Sequence, residues 1–230
     1  MFYYMDYWYL VLVLPAILIS LFAQIRVKTT FAKYSKRLVA SGMTGAEASR
    51  LIQQKNGVYT GLEAVAGELS DHFDPRTNTI RLSSSVYGQA TVAAVGVAAH
   101  ETGHALQHAQ GYNPVVVRTK LVPVTNFASA ISPILIILGI VMAMDPLAYA
   151  GIALFSLVTL FQLVTLPVEF NASNRAIAAL KESGRFTHDE MVGVRKVLTA
   201  AALTYVAALL VSLMTLLRFV LLVSGNRRND

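Results

Sequence analysis

The chain has 230 residues, 55% of them hydrophobic and only 14% charged, with a formal net charge of +6 and no cysteine. Soluble domains carry about a quarter charged residues, so this balance excludes an ordinary soluble domain and suits several membrane spans with one small soluble lobe. Disulfides and thiolate metal sites are excluded too. The positive charge lacks an aromatic-plus-basic platform, so nucleic acid is not an expected partner; lysines and arginines on the cytoplasmic side of a membrane protein explain it better.

Residues 7–23 form the first apolar run. Tyr3, Tyr4, Tyr7, Trp8 and Tyr9 at its start resemble an interfacial belt. Positive charge follows the run (Arg26, Lys28, Lys33) and only Asp6 precedes it. That order predicts a retained anchor with its N-terminus outside rather than a cleaved signal peptide. Thr44 and Glu47 fit a capping box and open a helix to about residue 54, closed by Asn56-Gly57. Strand-like pieces follow at residues 65–73 and 79–83, with turn chemistry at Asp74-Pro75-Arg76-Thr77-Asn78 between them. They predict a β-hairpin. Its edge can hold an extended peptide by main-chain hydrogen bonds, or it can be a solvated surface hairpin.

A helix over residues 89–110 carries His100-Glu101-Thr102-Gly103-His104. Residues four apart share a helix face, so His100 and His104 can aim imidazole nitrogens at one metal ion. Glu101 can then take a proton from a metal-bound water. The motif is short, and two helix histidines that hydrogen-bond or face water are its plainer explanation. The Ala-, Val- and Gly-rich run before it suits a buried helix, where polar ligands need a partner.

Spans are expected over residues 121–144, 147–168 and 197–223. Residues 25–120 and 169–196 together hold 16 of the 19 lysines and arginines, which makes those segments cytoplasmic and puts both termini outside. The tail arginines, Arg227 and Arg228, and Arg218 mildly oppose this. The resulting organisation is an anchor (1–25), a cytoplasmic lobe (26–120), a transmembrane hairpin (121–168), a cytoplasmic segment (169–196) and a last span with its tail (197–230). The fold expected is mainly α, a polytopic helical membrane protein of about four spans with a small zincin-like lobe containing the hairpin.

A catalytic zinc needs a third protein ligand and an open position for water. Glu169 is the candidate, because the out-and-back hairpin returns the chain at residue 169 to the face from which the zinc helix departed. Pro167 should kink the span just before it. An interfacial glutamate capping a helix start is the alternative. His108 lies about 12 Å along the helix from His100, too far to share an ion. His72 on the hairpin is a rival, and His188, after a cap, is better read as solvated.

Four blocks in order, HETGHALQH (100–108), DHFDPRTNTIRLSSSVYG (71–88), LPVEFNASNRA (166–176) and AAALTYVAALL (200–210), resemble the bacterial YugP-like neutral zinc metallopeptidases, and the resemblance covers nearly the whole chain. It implies one zinc per chain held by His100, His104 and Glu169, Glu101 as catalytic acid-base, and residence in the bacterial cytoplasmic membrane. A looser likeness is to the HtpX and CAAX-prenyl membrane proteases. There an aspartate follows the third ligand by four positions, where this chain has Ser173. Ser173, Asn171 and Asn174 are therefore candidates to support a zinc histidine.

The activity expected is metal-assisted hydrolysis of peptides or proteins, membrane proteins among them, at the cytoplasmic face of the bilayer. Tyr205 and Arg175 are candidates to stabilise the oxyanion, although an interfacial tyrosine and a lipid-paired arginine would look the same. A zinc-holding chaperone or adaptor without turnover is the competing reading, and Glu101 argues against it. A transporter fits poorly, since residues 121–144 and 146–168 contain no Asp, Glu, Lys, Arg or His.

Overall fold

A computed structural model describes residues 7–68 and 70–226. Tyr3, Tyr4, Asp6 and the tail arginines lie outside the described residues. The elements, in chain order, are α1 (Leu14–Tyr34, preceded by a π-helical turn, Tyr9–Val13), α2 (Gly45–Lys55), β1 (Gly61–Val65), β2 (His72–Asp74), β3 (Thr79–Ser83), α3 (Ser84–Tyr87), α4 (Val92–Ala109), α5 (Asn113–Val141), α6 (Asp145–Ser183) and α7 (His188–Asn226). The protein is mainly helical, with one small sheet. Among the described residues, four helical stretches are long and apolar enough to cross a membrane: Tyr9–Tyr34, Asn113–Val141, Asp145–Ser183 and His188–Gly225.

The chain divides into two compact units. One comprises Met1–Gln24, Val117–Leu166 and Thr204–Asp230. Among its described residues its regular structure is helical, and many of its large apolar side chains point outward, Leu18, Phe22, Phe127 and Ile137 among them. A water-soluble surface would not carry them; a lipid-facing one does. Ile136, Ala148, Ile152 and Val223 are buried together inside this unit. Thr159 and Ser212 pair their hydroxyls at 2.7 Å, which satisfies both where no water reaches.

The other unit comprises Ile25–Val116 and Pro167–Leu203. Its centre is α4, whose Ala93, Val95 and Ala99 are fully buried in one apolar cluster and Ala94 and Ala98 in another. Thr91 caps α4 by accepting from the amide of Ala94 at 3.2 Å. The Thr44–Glu47 capping box is present at the start of α2. Buried hydroxyls tie α2 to α4, with Ser49 and Thr102 at 2.7 Å and Gln53 donating to Ser49 at 3.2 Å.

The sheet has the order β1-β3-β2. β2 and β3 form the antiparallel hairpin around the predicted turn. The strand expected over residues 65–73 is instead two strands. The chain leaves β1 after Val65, bends through Gly67 at φ 102°, and enters β2 at His72. β1 pairs with β3 in parallel, a long-range pairing that local turn chemistry does not announce. Arg81 on β3 binds Glu63 of β1 at 3.0 Å and Asp74 of β2 at 3.1 Å, so one guanidinium links all three strands. The Arg76 and Arg81 guanidiniums hold the Asp74 carboxyl well below the usual range.

Two helices run further than the apolar pattern alone predicts. α6 is one helix of 39 residues, about 58 Å long against a hydrocarbon core of about 30 Å. It continues through Pro167 into the polar segment and ends at Ser183. α7 also spans 39 residues and opens on the Thr187–Glu190 capping box, with Thr187 N donating to Glu190 Oε2 at 2.7 Å and Glu190 N to Thr187 Oγ1 at 3.3 Å.

Candidate metal centre

The site is built within the second unit from α4 and the part of α6 beyond Pro167. The two helices touch at Gly103. A Cβ there would stand 2.5 Å from the carbonyl oxygen of Ala172, closer than real side chains come. Glycine at this position lets α6 lie directly on α4. Glu169, one turn before Ala172, then faces the histidines.

His100, His104 and Glu169 each present one donor atom, and the three atoms lie within 4.8 Å of one another. Oε2 of Glu169 is 3.3 Å from Nε2 of His100 and 3.5 Å from Nε2 of His104. The glutamate side chain is 1% exposed and the histidines 13% and 15%. A tetrahedral ion with bonds near 2.1 Å separates its ligands by about 3.4 Å, so this spacing fits zinc.

The outer partners fit as well. Nδ1 of His104 lies 3.0 Å from Oε1 of Gln107. Gln107 Nε2 donates to the carbonyl of Val168 at 2.8 Å and to Oδ1 of Asn171 at 2.9 Å. A carbonyl only accepts, so the amide is oriented with its oxygen toward His104. The proton of His104 therefore sits on Nδ1, and Nε2 turns a lone pair toward the Glu169 carboxylate. Two acceptors facing each other in a nearly buried space call for a cation. Asn171 Oδ1 also accepts from Nε of Arg175 at 2.7 Å, which pins the far end of the network. His100 is supported by Ser173, whose hydroxyl lies 3.1 Å from its Nδ1.

Glu101 is buried beside His100, and its carboxyl makes no hydrogen bond with another described residue. Burial is the main cause that pushes its carboxyl up to about 7. The charges of Glu169 and Asp71 add to the rise, while His100 and His72 oppose it. A carboxyl raised this way suits proton transfer near neutral pH.

The other predicted residues fall as follows. Arg175 bonds Asn171 and Gln110 and lies over the Tyr112 ring, 5.7 Å from its centroid. Tyr205 belongs to the other unit, on α7, and is half-buried. His108 is exposed and packs against Phe73 of β2 at 5.6 Å between ring centroids. His72 is exposed and its Nδ1 lies 2.8 Å from the carbonyl of Ser70. His188 is exposed, and Asn174 is exposed on α6. Gln107 escapes a reading of the sequence. Its only signal is its place one turn after His104 on the same helix, and its role depends on where α6 docks.

The family model described as "Putative neutral zinc metallopeptidase" matches residues 9–224. A protein of Bacillus subtilis (strain 168) described as "Putative membrane protease YugP" is 48% identical over 220 residues, covering 95% of this chain and 98% of that protein. No solved structure matches the chain. A match over nearly the whole length, together with a His-His-Glu donor set of zinc-like spacing, places the chain in the neutral zinc metallopeptidase family.

Proposed function

We propose that the protein is a membrane-embedded zinc endopeptidase that cuts peptide bonds at the cytoplasmic face of the bilayer. The observation that carries this reading is the convergence of His100, His104 and Glu169, with buried Glu101 next to the first histidine and available for proton transfer. One zinc held by the three donors would supply a Lewis acid that acidifies water and polarises a scissile carbonyl.

The chain's own groups do the rest. Gln107 and Ser173 hold the imidazoles with Nε2 inward. Glu101 accepts the proton of the attacking water and returns it to the leaving amine. Tyr205 is the candidate oxyanion donor. Arg175 is the second candidate, and its bond to Asn171 also ties it to Gln107 behind His104. β2 is an edge strand packed against α4, which supports a place for an extended substrate. The distribution of lysines and arginines supports the cytoplasmic orientation.

The test is cleavage of a loosely folded protein by the purified full chain in detergent, beside Glu101→Gln. Chelator-sensitive cleavage by the first and a loss of at least 100-fold in the second, at equal zinc content, is expected. Bound zinc with equal rates in both would remove Glu101 from the chemistry. Bound zinc with no cleavage of any substrate would favour a zinc-holding adaptor.

A further inference from the structure

A second site lies away from the metal centre, within the same unit. α1 and α7 run side by side there and border a cleft of about 310 Å³ lined by Arg26, Lys33, Arg195 and Lys196 together with Thr30 and Thr199. The helices come this close because α7 carries Gly193 opposite Tyr34; a Cβ there would stand 2.8 Å from the tyrosine ring. The four cations form no ion pair among the described residues. Of the two acids in the first turn of α7, Asp189 and Glu190, neither lines the cleft, and Glu190 is bound to the amides of Ala40 and Thr187.

Four like charges around one cleft repel one another unless an anion joins them. The position on each helix says which anion. On α1 the basic residues begin just after the apolar run of residues 7–23. On α7 they come just before the apolar run of residues 197–223. Both helices are long and apolar enough to span a membrane, so all four cations sit at the headgroup end of a span. We propose that this cleft binds the phosphodiester headgroup of an anionic membrane lipid. The arginines and lysines meet the phosphate oxygens, and the threonine hydroxyls donate to those that remain.

Native mass spectrometry of the full chain in detergent, titrated with phosphatidylglycerol, tests this without any reference to proteolysis. Phosphatidylcholine and inorganic phosphate are the comparison ligands. Saturable binding of phosphatidylglycerol is expected, with much weaker phosphatidylcholine binding and little competition from phosphate. Arg26→Gln/Lys33→Gln and Arg195→Gln/Lys196→Gln should each weaken it about 30-fold, since each cation near a membrane surface contributes about a factor of five. Lys28→Gln/Lys36→Gln removes the same charge from exposed positions outside the cleft and should change it little. Equal weakening by that control pair would overturn the proposal, because the attraction would then be a general property of the basic face. No weakening by either cleft pair, or full competition by inorganic phosphate, would overturn it as well. All the substituted side chains are exposed, and the two cleft pairs are independent, so misfolding of one leaves the other decisive.

Discussion

The Nδ1 of His104 lies 3.0 Å from Oε1 of Gln107, and the amide that accepts there is itself held by α6 through Val168 and Asn171. One side chain thus sets a histidine tautomer and docks a helix. Gln107→Ala should weaken zinc affinity by about 10- to 100-fold, the usual cost of losing such an outer partner. Competition with a chromophoric chelator measures it. An unchanged affinity would remove Gln107 from the support of the site.

Glycine substitutions separate a needed contact from a permissive one. Gly103→Ala puts a methyl 2.5 Å from the Ala172 carbonyl and 3.1 Å from its carbon, so α6 must move. Overpacking of this kind costs about 1–3 kcal/mol, and zinc affinity should fall with stability. Gly96→Ala, on the same helix, meets only Val194 at an ordinary 3.5 Å. It should be neutral or stabilising by up to about 1 kcal/mol through helix propensity. Thermal melting in detergent, with and without chelator, distinguishes the two.

The Asp74 ion pairs predict a pH dependence of defined sign. Its carboxyl is held low in the folded protein by Arg76 and Arg81. Its contribution to stability is therefore complete above the unfolded value of about 3.9 and is lost as pH falls below it toward the depressed folded value. Asp74→Asn should melt below the parent at pH 7, and the gap should narrow as pH is lowered toward 3. A gap that stays constant with pH would show that the pairs do not hold the strands.

Tyr205→Phe should lower turnover with little effect on zinc content, if its hydroxyl meets the oxyanion. Steady-state cleavage and metal analysis on the same preparation check this. An unchanged rate ends the assignment.

Much of the architecture is legible in the sequence because helices advertise themselves locally. The Thr44–Glu47 box marks the start of α2, and the apolar runs mark the long helices. The nearness of Glu169 to the two histidines is legible in the order of those runs, because an out-and-back pair of spans returns the chain to its point of departure. The rest depends on contacts between distant segments. The parallel pairing of Gly61 with Thr79 has no local signature, so β1 is displaced from where the hydrophobic pattern suggests it. Gln107 reads as an ordinary polar helix residue until α6 is laid against it. Ser173 differs, because the looser likeness to the HtpX and CAAX-prenyl proteases marks it beforehand, with Asn171 and Asn174, as a candidate partner.

Glu169 is made 69 residues after His100, with α5 and the apolar part of α6 between them. A ribosome adding roughly 5–20 residues per second needs about 3–14 seconds to cover that distance. Throughout that interval the nascent chain carries both histidines and the neighbouring carboxylate of Glu101 but no third donor. The order of synthesis thus acts as a safety catch. The three-donor set cannot be complete until the two intervening apolar helices have been made, and a fragment ending at Val116 would never acquire the missing donor.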